Sequence, residues 1–209
     1  MTSAATARNL IAPVLRLGYR IRVVGAHRLP SRGPVLVVAP HQGFLDAALM
    51  STGLSRPVYV LVDPSPVSGR TPGRIVVDPG DPGAALRTAR SLLESGSAVG
   101  AWSGEGRELA AGYLAVRCAI PVVPLAIFGG GGAHATDPPR WRSCIDIVVG
   151  DPFAPGLPTD GAARQEIASV AEVIRQHVAD HARQSQVRIG RLDGVGVPRE
   201  ATAPDNGLS

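Results

Sequence analysis

The chain has 209 residues, 44% hydrophobic and only 18% charged, which is enough to bury the core of one domain and unlike the composition of a disordered protein. Its formal charge is +4, every basic residue is Arg, and no acidic residue occurs before Asp46. The 4% aromatic content and the lack of any nucleic-acid-binding motif argue against nucleic acid as partner, and the basic leading stretch favours an anionic membrane surface instead.

Residues 1–18 form a basic amphipathic segment. Leu10, Ile11, Val14, Leu15 and Leu17 can line one stripe, with Arg8, Arg16 and Arg20 around it. Two readings stand: a short helix lying in a membrane interface, or a cap on the core of the domain. Pro13 interrupts the pattern in either case. No apolar run approaches the roughly 18–20 residues needed to span a bilayer, and no secretory leader pattern is read.

A strand over 19–24 leads to a turn at Gly25, and the apolar run 34–40 reads as a buried strand. A helix is expected over 46–52, then a strand over 58–62 and a Pro/Ser/Gly-rich loop over 63–73. A strand over 74–78 closes at Pro79-Gly80, and a helix over 84–94 stops at Gly96. Strands follow over 98–102, 122–128 and 144–149, with a helix over 113–119 between the first two. The glycine run 129–132 reads as a flexible loop. The longest helix is expected over 160–184, with Ile167, Val170, Ala171, Ile174 and Val178 as its core stripe. A loose tail is expected from 185 to the end, leaving 19–184 as one α/β domain. Cys118 and Cys144 form no CxxC motif and read as buried small hydrophobes in a reduced compartment, with a single disulfide as the alternative.

The stretch His41-Gln42-Gly43-Phe44-Leu45-Asp46 directly follows the buried strand at 34–40. In α/β folds ligands collect at the carboxyl ends of strands. A turn there can bring the Asp46 carboxylate onto the His41 imidazole, fixing its tautomer and making a general base. The plainer reading is an Asp in a first helical turn, favoured by the helix dipole. Ser103-Gly104-Glu105-Gly106-Arg107 leaves another strand. Its glycines permit close backbone approach and Arg107 can hold a phosphate or carboxylate, while a tight glycine turn with solvated charges is the plainer reading. Ser103 as a hydrolase nucleophile is disfavoured, because Gly100-Ala101-Trp102-Ser103-Gly104 does not make G-x-S-x-G. His177 and His181 have a metal-compatible spacing but no acidic or Cys partner, and histidines late in a helix suit its dipole.

Taken together these stretches resemble the lysophospholipid acyltransferase family, the glycerolphosphate and 1-acylglycerol-3-phosphate acyltransferases. His41-x4-Asp46 after an apolar strand is similar to the family's first motif, and Gly25 to Pro34, with Leu29-Pro30 and Gly33-Pro34, to its lead-in. Glu105-Gly106 matches the Glu-Gly of the third motif. Tyr113-Leu114-Ala115 through Ile120-Pro121-Val122-Val123-Pro124 is similar to the fourth region.

The resemblance implies a single α/β domain with a mixed sheet covered by helices. It implies transfer of a fatty acyl group from acyl-CoA or acyl carrier protein to a hydroxyl of a lysophospholipid, with no acyl-enzyme and no metal or redox cofactor. His41 would be the base and Asp46 its orienting partner. Gly43, Phe44, Arg74, Gly104, Glu105, Gly106 and Arg107 would bind substrate, and backbone N–H groups near Gly43 or Gly104 are the candidate oxyanion donors. A peripheral position on the inner face of the cell membrane follows. A catalytically weak relative that binds membrane or acyl carrier protein is the alternative.

Three departures bear on the acceptor. Trp102-Ser103-Gly104 stand where the family has Phe-Pro before Glu-Gly, and Glu108 stands where its Arg is expected, Arg107 falling one place early. Pro79 stands where an Arg usually follows the strand at 75–78, with Arg74 on the other side of that strand. The stretch from Glu105 to Tyr113 is also short. The base is kept while the phosphate-holding side is altered, so the acceptor is expected to differ from plain lysophosphatidate unless Arg74 or Arg107 substitutes.

Overall fold

The computed structural model describes residues 4–40, 43–64, 73–104, 107–132, 137–156 and 164–192, with the side chains of 4–8, 10, 191 and 192 outside that description. The strands are β1 (Arg20–Val24), β2 (Val35–Pro40), β3 (Val58–Val62), β4 (Arg74–Val76), β5 (Ala98–Ser103), β6 (Val122–Phe128) and β7 (Cys144–Val149). They form one sheet in the order β1-β7-β6-β2-β5-β3-β4. From β6 to β4 the neighbours are parallel. β7 runs antiparallel to β6, and β1 parallel to β7, so the sheet is mixed.

Strands that are covered on both faces read as continuous apolar runs. Val35 to Ala39 in β2 and Val122 to Ile127 in β6 are buried without a break. Alternate residues of β2 serve opposite cores. Val35, Val37 and Ala39 face one cluster with α1 (Ala4–Gly18) and α2 (Asp46–Thr52). Leu36 and Val38 face the other, with α3 (Pro82–Glu94), α4 (Glu108–Cys118) and α5 (Arg164–Leu192). On the outer strands Asp146 of β7 is only 6% exposed, and Arg22, its register partner on β1, donates Nε to its Oδ1.

The element boundaries differ from expectation in instructive ways. α1 continues through Pro13, and its stripe splits. Leu15 is buried and Ile11 packs beside it in the core, while Val14 and Leu17 are exposed on the opposite flank. α3 starts at Pro82 because the Asp81 carboxylate accepts the Ala84 N–H at 3.1 Å and proline suits the first helical position. α4 starts at Glu108 and not at 113. α5 runs past 184 to Leu192, and Ser185, expected to begin the tail, is buried. Residues 157–163 and 193–209 lie outside the described residues. Cys118 is half-buried and Cys144 exposed, and both are free thiols, which corrects the expectation that both are buried.

The amino edge of the sheet is fastened by one side chain. Arg56 donates to the carbonyls of Pro30 (3.1 Å), Gly33 (2.8 Å) and Gly96 (2.9 Å), tying together the approaches to β2 and β5. Burial holds its pKa below the usual arginine value.

Gly100 in β5 has no space for a side chain, since a Cβ there would lie 2.3 Å from the Met50 sulfur and 3.3 Å from Val58 and Val60 methyls. Gly100→Ala is expected to destabilise by about 1–3 kcal/mol through overpacking, a melting shift of roughly 2–4 °C per kcal/mol for a chain of this size. Met50→Ala should cost less in that background than alone, because it removes the clashing atom. Strict additivity in a denaturation cycle would refute the contact.

Candidate active site

The carboxyl ends of the parallel strands gather on one edge, where β2 ends at Pro40 and α2 begins at Asp46. Asp46 is 1% exposed. Its Oδ2 accepts the Gly43 N–H at 2.7 Å, and its own N–H donates to the Gly43 carbonyl at 3.2 Å. A carboxylate taken out of water needs fixed donors, and a first helical turn adds its dipole.

The loop after β6 closes on this turn. Leu45 N–H donates to the Gly130 carbonyl at 2.9 Å. A Cβ on Gly43 would meet Gly130 and Gly131 backbone at 2.6 Å, and one on Gly130 would meet Asp46 Oδ1 at 2.3 Å. Gly130, expected in a flexible loop, is therefore a packing surface for the Asp46 carboxylate. Two backbones can approach this closely only without side chains.

His41 and Gln42 lie outside the described residues, between Pro40 and Gly43 in the chain, as do Glu105 and Gly106. Phe44 is more than half exposed. The Gly43 N–H is committed to Asp46, which removes it from the candidate oxyanion donors. Gly104 has a φ of +96° with open space where a side chain would stand, and its carbonyl accepts the Arg107 N–H at 3.1 Å in the turn into α4. Arg107 reaches back to Asp63 beyond β3, Nη2 to Oδ2 at 2.7 Å. Arg74 starts β4, paired with Val60 in the middle of β3, so it is not brought to Arg107 or Asp46 by the sheet. It is half-buried, its Nε has no hydrogen-bond partner among the described residues, and burial lowers its pKa.

Two cavities flank the end of β5. The β3–β5 pairing stops at Val60↔Gly100, although both strands run on. The Leu61 carbonyl, left without a strand partner, instead accepts the Trp102 indole N–H at 2.7 Å. The opening is a cavity of about 750 Å³, lined largely by apolar groups such as Val77, Leu86, Leu109 and Tyr113, with Arg107 and Asp63 at its wall. On the other side Pro40, Ser103, Gly104 and Phe128 border a cavity of about 400 Å³, whose remaining wall is α5 with Arg175 and Arg183.

Sequence reasoning missed Trp102 as a spacer, because its Leu61 partner is far away in the chain. It missed Arg175 and Arg183 because each sits in a polar helix face that reads as solvated. The helix histidines are engaged elsewhere: His177 stacks on Phe153 at 4.1 Å, and His181 Nε2 lies 3.0 Å from the Val148 carbonyl.

Because Gly43 and Gly130 press on each other, Gly43→Ala and Gly130→Ala should each destabilise by about 1–3 kcal/mol. The pair should be non-additive in a double-mutant cycle read by chemical denaturation. Two neutral substitutions would show that the loops are not interlocked.

No protein-family model matches the chain, and no curated protein sequence is similar to it. Among solved structures, the chain is similar to the 1-acyl-sn-glycerophosphate (LPA) acyltransferase PlsC from Thermotoga maritima, with a TM-score of 0.58 at 19% identity. The match covers 85% of this chain and 78% of that one. The likeness is one of fold: the α/β domain described above, a mixed sheet between two helical layers, is the architecture of that acyltransferase.

Proposed function

We propose that this protein is an acyltransferase that moves a fatty acyl group from acyl-CoA or acyl carrier protein to a hydroxyl of a lysophospholipid, in phospholipid biosynthesis or remodelling. The observation that carries this reading is the buried Asp46 carboxylate at the carboxyl edge, held by the turn that follows β2 and five residues after His41 in the chain. The fold shared with a glycerophosphate acyltransferase supports it.

In this reading His41 takes the acceptor's hydroxyl proton while Asp46 holds the imidazole and balances its charge. The alkoxide attacks the thioester carbonyl, the C–S bond breaks, and the proton passes to the departing thiolate. With Gly43 committed to Asp46, the backbone at Gly104 remains the candidate for stabilising the oxyanion. The acyl chain occupies the cavity beside Trp102, whose volume falls in the range of roughly 300–1,000 Å³ usual for small-molecule sites. No metal or redox group enters the scheme.

Among the described residues no helix is long and apolar enough to cross a membrane. A peripheral attachment to the anionic inner face of the cell membrane suits the exposed flank of α1. Leu17 is 79% exposed and Trp141 68%, and Trp141 lies against Gly18 with the Arg142 N–H donating to the Gly18 carbonyl. Arg16, Arg20, Arg140 and Arg142 are exposed around them. An aromatic ring and aliphatic groups ringed by arginines match an anionic interface.

Thiol release from acyl-CoA and from acyl carrier protein, measured over a panel of lysolipid acceptors, tests the reaction. His41→Ala is expected to lower the rate on the order of 100- to 10,000-fold, and Asp46→Asn to lower it severely. Absence of turnover by the wild type with every donor and acceptor would sink the reading in favour of a non-catalytic relative. For the membrane, flotation with anionic liposomes at low salt should be lost in a Leu17→Glu, Trp141→Glu double variant. Equal flotation of variant and wild type would exclude this flank.

A further inference from the structure

Two backbone positions border the Asp46 carboxylate. Oδ2 accepts the Gly43 N–H at 2.7 Å. Oδ1 faces Gly130, where a Cβ would stand 2.3 Å from it. Among the described residues nothing else at Gly130 excludes a side chain. The next atoms a Cβ would meet are methyl groups of Ile127 and Leu49 at 3.4 and 3.5 Å, close to ordinary contact. The φ of Gly130 lies outside the left-handed region, unlike that of Gly129 beside it at +77°. Glycine is therefore demanded at 130 by one carboxylate oxygen and not by the backbone conformation.

Gly130 has no freedom to retreat. Its carbonyl accepts the Leu45 N–H at 2.9 Å, which ties it to the turn that carries Asp46. Before it, Gly129 lies against β7, with its Cβ position 2.5 Å from the Cys144 carbonyl oxygen. After it, the Gly132 N–H donates to the Asp137 carbonyl at 2.8 Å. The movable partner is the side chain of Asp46. A methyl group at 130 would push Oδ1 aside and strain the bond at Oδ2, in an interior packed too tightly to absorb the change elsewhere.

We propose that Gly130 is a positioning residue for His41, acting through Asp46. Its missing side chain fixes where Asp46 Oδ1 stands, and Asp46 in turn fixes the tautomer and aim of the imidazole. The assignment rests on the acyltransferase reading above, in which Asp46 orients His41. The loop after β6 thus serves the site without touching substrate. A carboxylate bordered by backbone on two sides keeps one rotamer, and a shift of about 1 Å in such a group can lower a rate about 100-fold.

The test compares the full-length wild type with Gly130→Ala and with Gly53→Ala. The second variant strains the other end of α2, where a Cβ would meet the Leu49 carbonyl at 2.6 Å, and leaves Asp46 alone. Nitrogen NMR of the imidazole rings, with the His41 signals assigned by His41→Gln, needs no turnover. The wild type and Gly53→Ala are expected to hold one neutral tautomer of His41, and Gly130→Ala a mixture. In turnover Gly130→Ala should lower kcat roughly 10- to 100-fold with KM unchanged. An unchanged tautomer and kcat in Gly130→Ala, beside an active wild type, would overturn the proposal while leaving the acyltransferase reading intact. An equal loss of kcat in Gly53→Ala would also overturn it, by making the effect one of stability. Urea denaturation reads the contact itself: adding Asp46→Ala to Gly130→Ala removes the clashing oxygen and should restore stability, even where the single variant does not fold. A double variant no more stable than Gly130→Ala would overturn the proposal. A tautomer change in a protein that transfers no acyl group to any acceptor would uphold the positioning and overturn the reaction instead.

Discussion

A carboxylate withdrawn from water at the start of α2 is the constraint on which the carboxyl edge depends. Desolvating Asp46 is unfavourable unless its oxygens meet donors held in place. The donor that meets Oδ2 is a backbone N–H, that of Gly43, brought within 2.7 Å by the turn itself. The turn is in turn braced by the loop after β6, through the Leu45 N–H to Gly130 carbonyl bond. Neither Gly43 nor Gly130 has room for a Cβ, so the geometry around Asp46 is set by backbone contact and not by adaptable side chains. A residue proposed to steer a catalytic imidazole gains from a seat of that kind, because rotamer changes cannot loosen it.

The two edges of the sheet behave differently for a physical reason. At the amino edge Arg56 spans three carbonyls and closes the gaps between loops. At the carboxyl edge the β3–β5 ladder stops early, and the Trp102 indole takes the carbonyl that a strand partner would have used. The hydrogen bond is conserved in number while the strands are let apart, which opens apolar space without stranding a buried polar group. Both cavities then share the end of β5 as a partition, one apolar and one edged by arginines.

The two terminal helices show how one amphipathic element serves two surfaces. α1 contributes Leu15 to the core and turns Leu17 outward beside Trp141. α5 buries Val170, Ile174 and Val178 against the sheet and turns Arg175 and Arg183 toward the smaller cavity. In each case the choice between core stripe and functional face is made by which neighbour lies underneath.

Much of this was legible in the amino-acid order. The apolar run 34–40 and the alternation of strands with helices are local patterns, and they led to the α/β sheet covered by helices that the chain adopts, while its mixed character was implied by the family resemblance. Local signals also have local blind spots. The start of α4 at Glu108 was hidden by the glycines before it, and the extension of α5 to Leu192 by Gly190 and the polar residues Ser185, Gln186, Arg188 and Arg191. Strand order, the insertion of β7 between β1 and β6, and the burial of Asp46 under Gly130 depend on residues far apart in the chain. So do the Trp102 bond to Leu61 and the meeting of Arg175 and Arg183 with the end of β2. By itself the sequence determined which segments are apolar enough to be strands and where a histidine and an aspartate stand in the chain in relation to one of them. Only the tertiary structure decided which glycines must be glycine and which arginines face a cavity, because those properties arise from contacts between distant segments that no periodicity records.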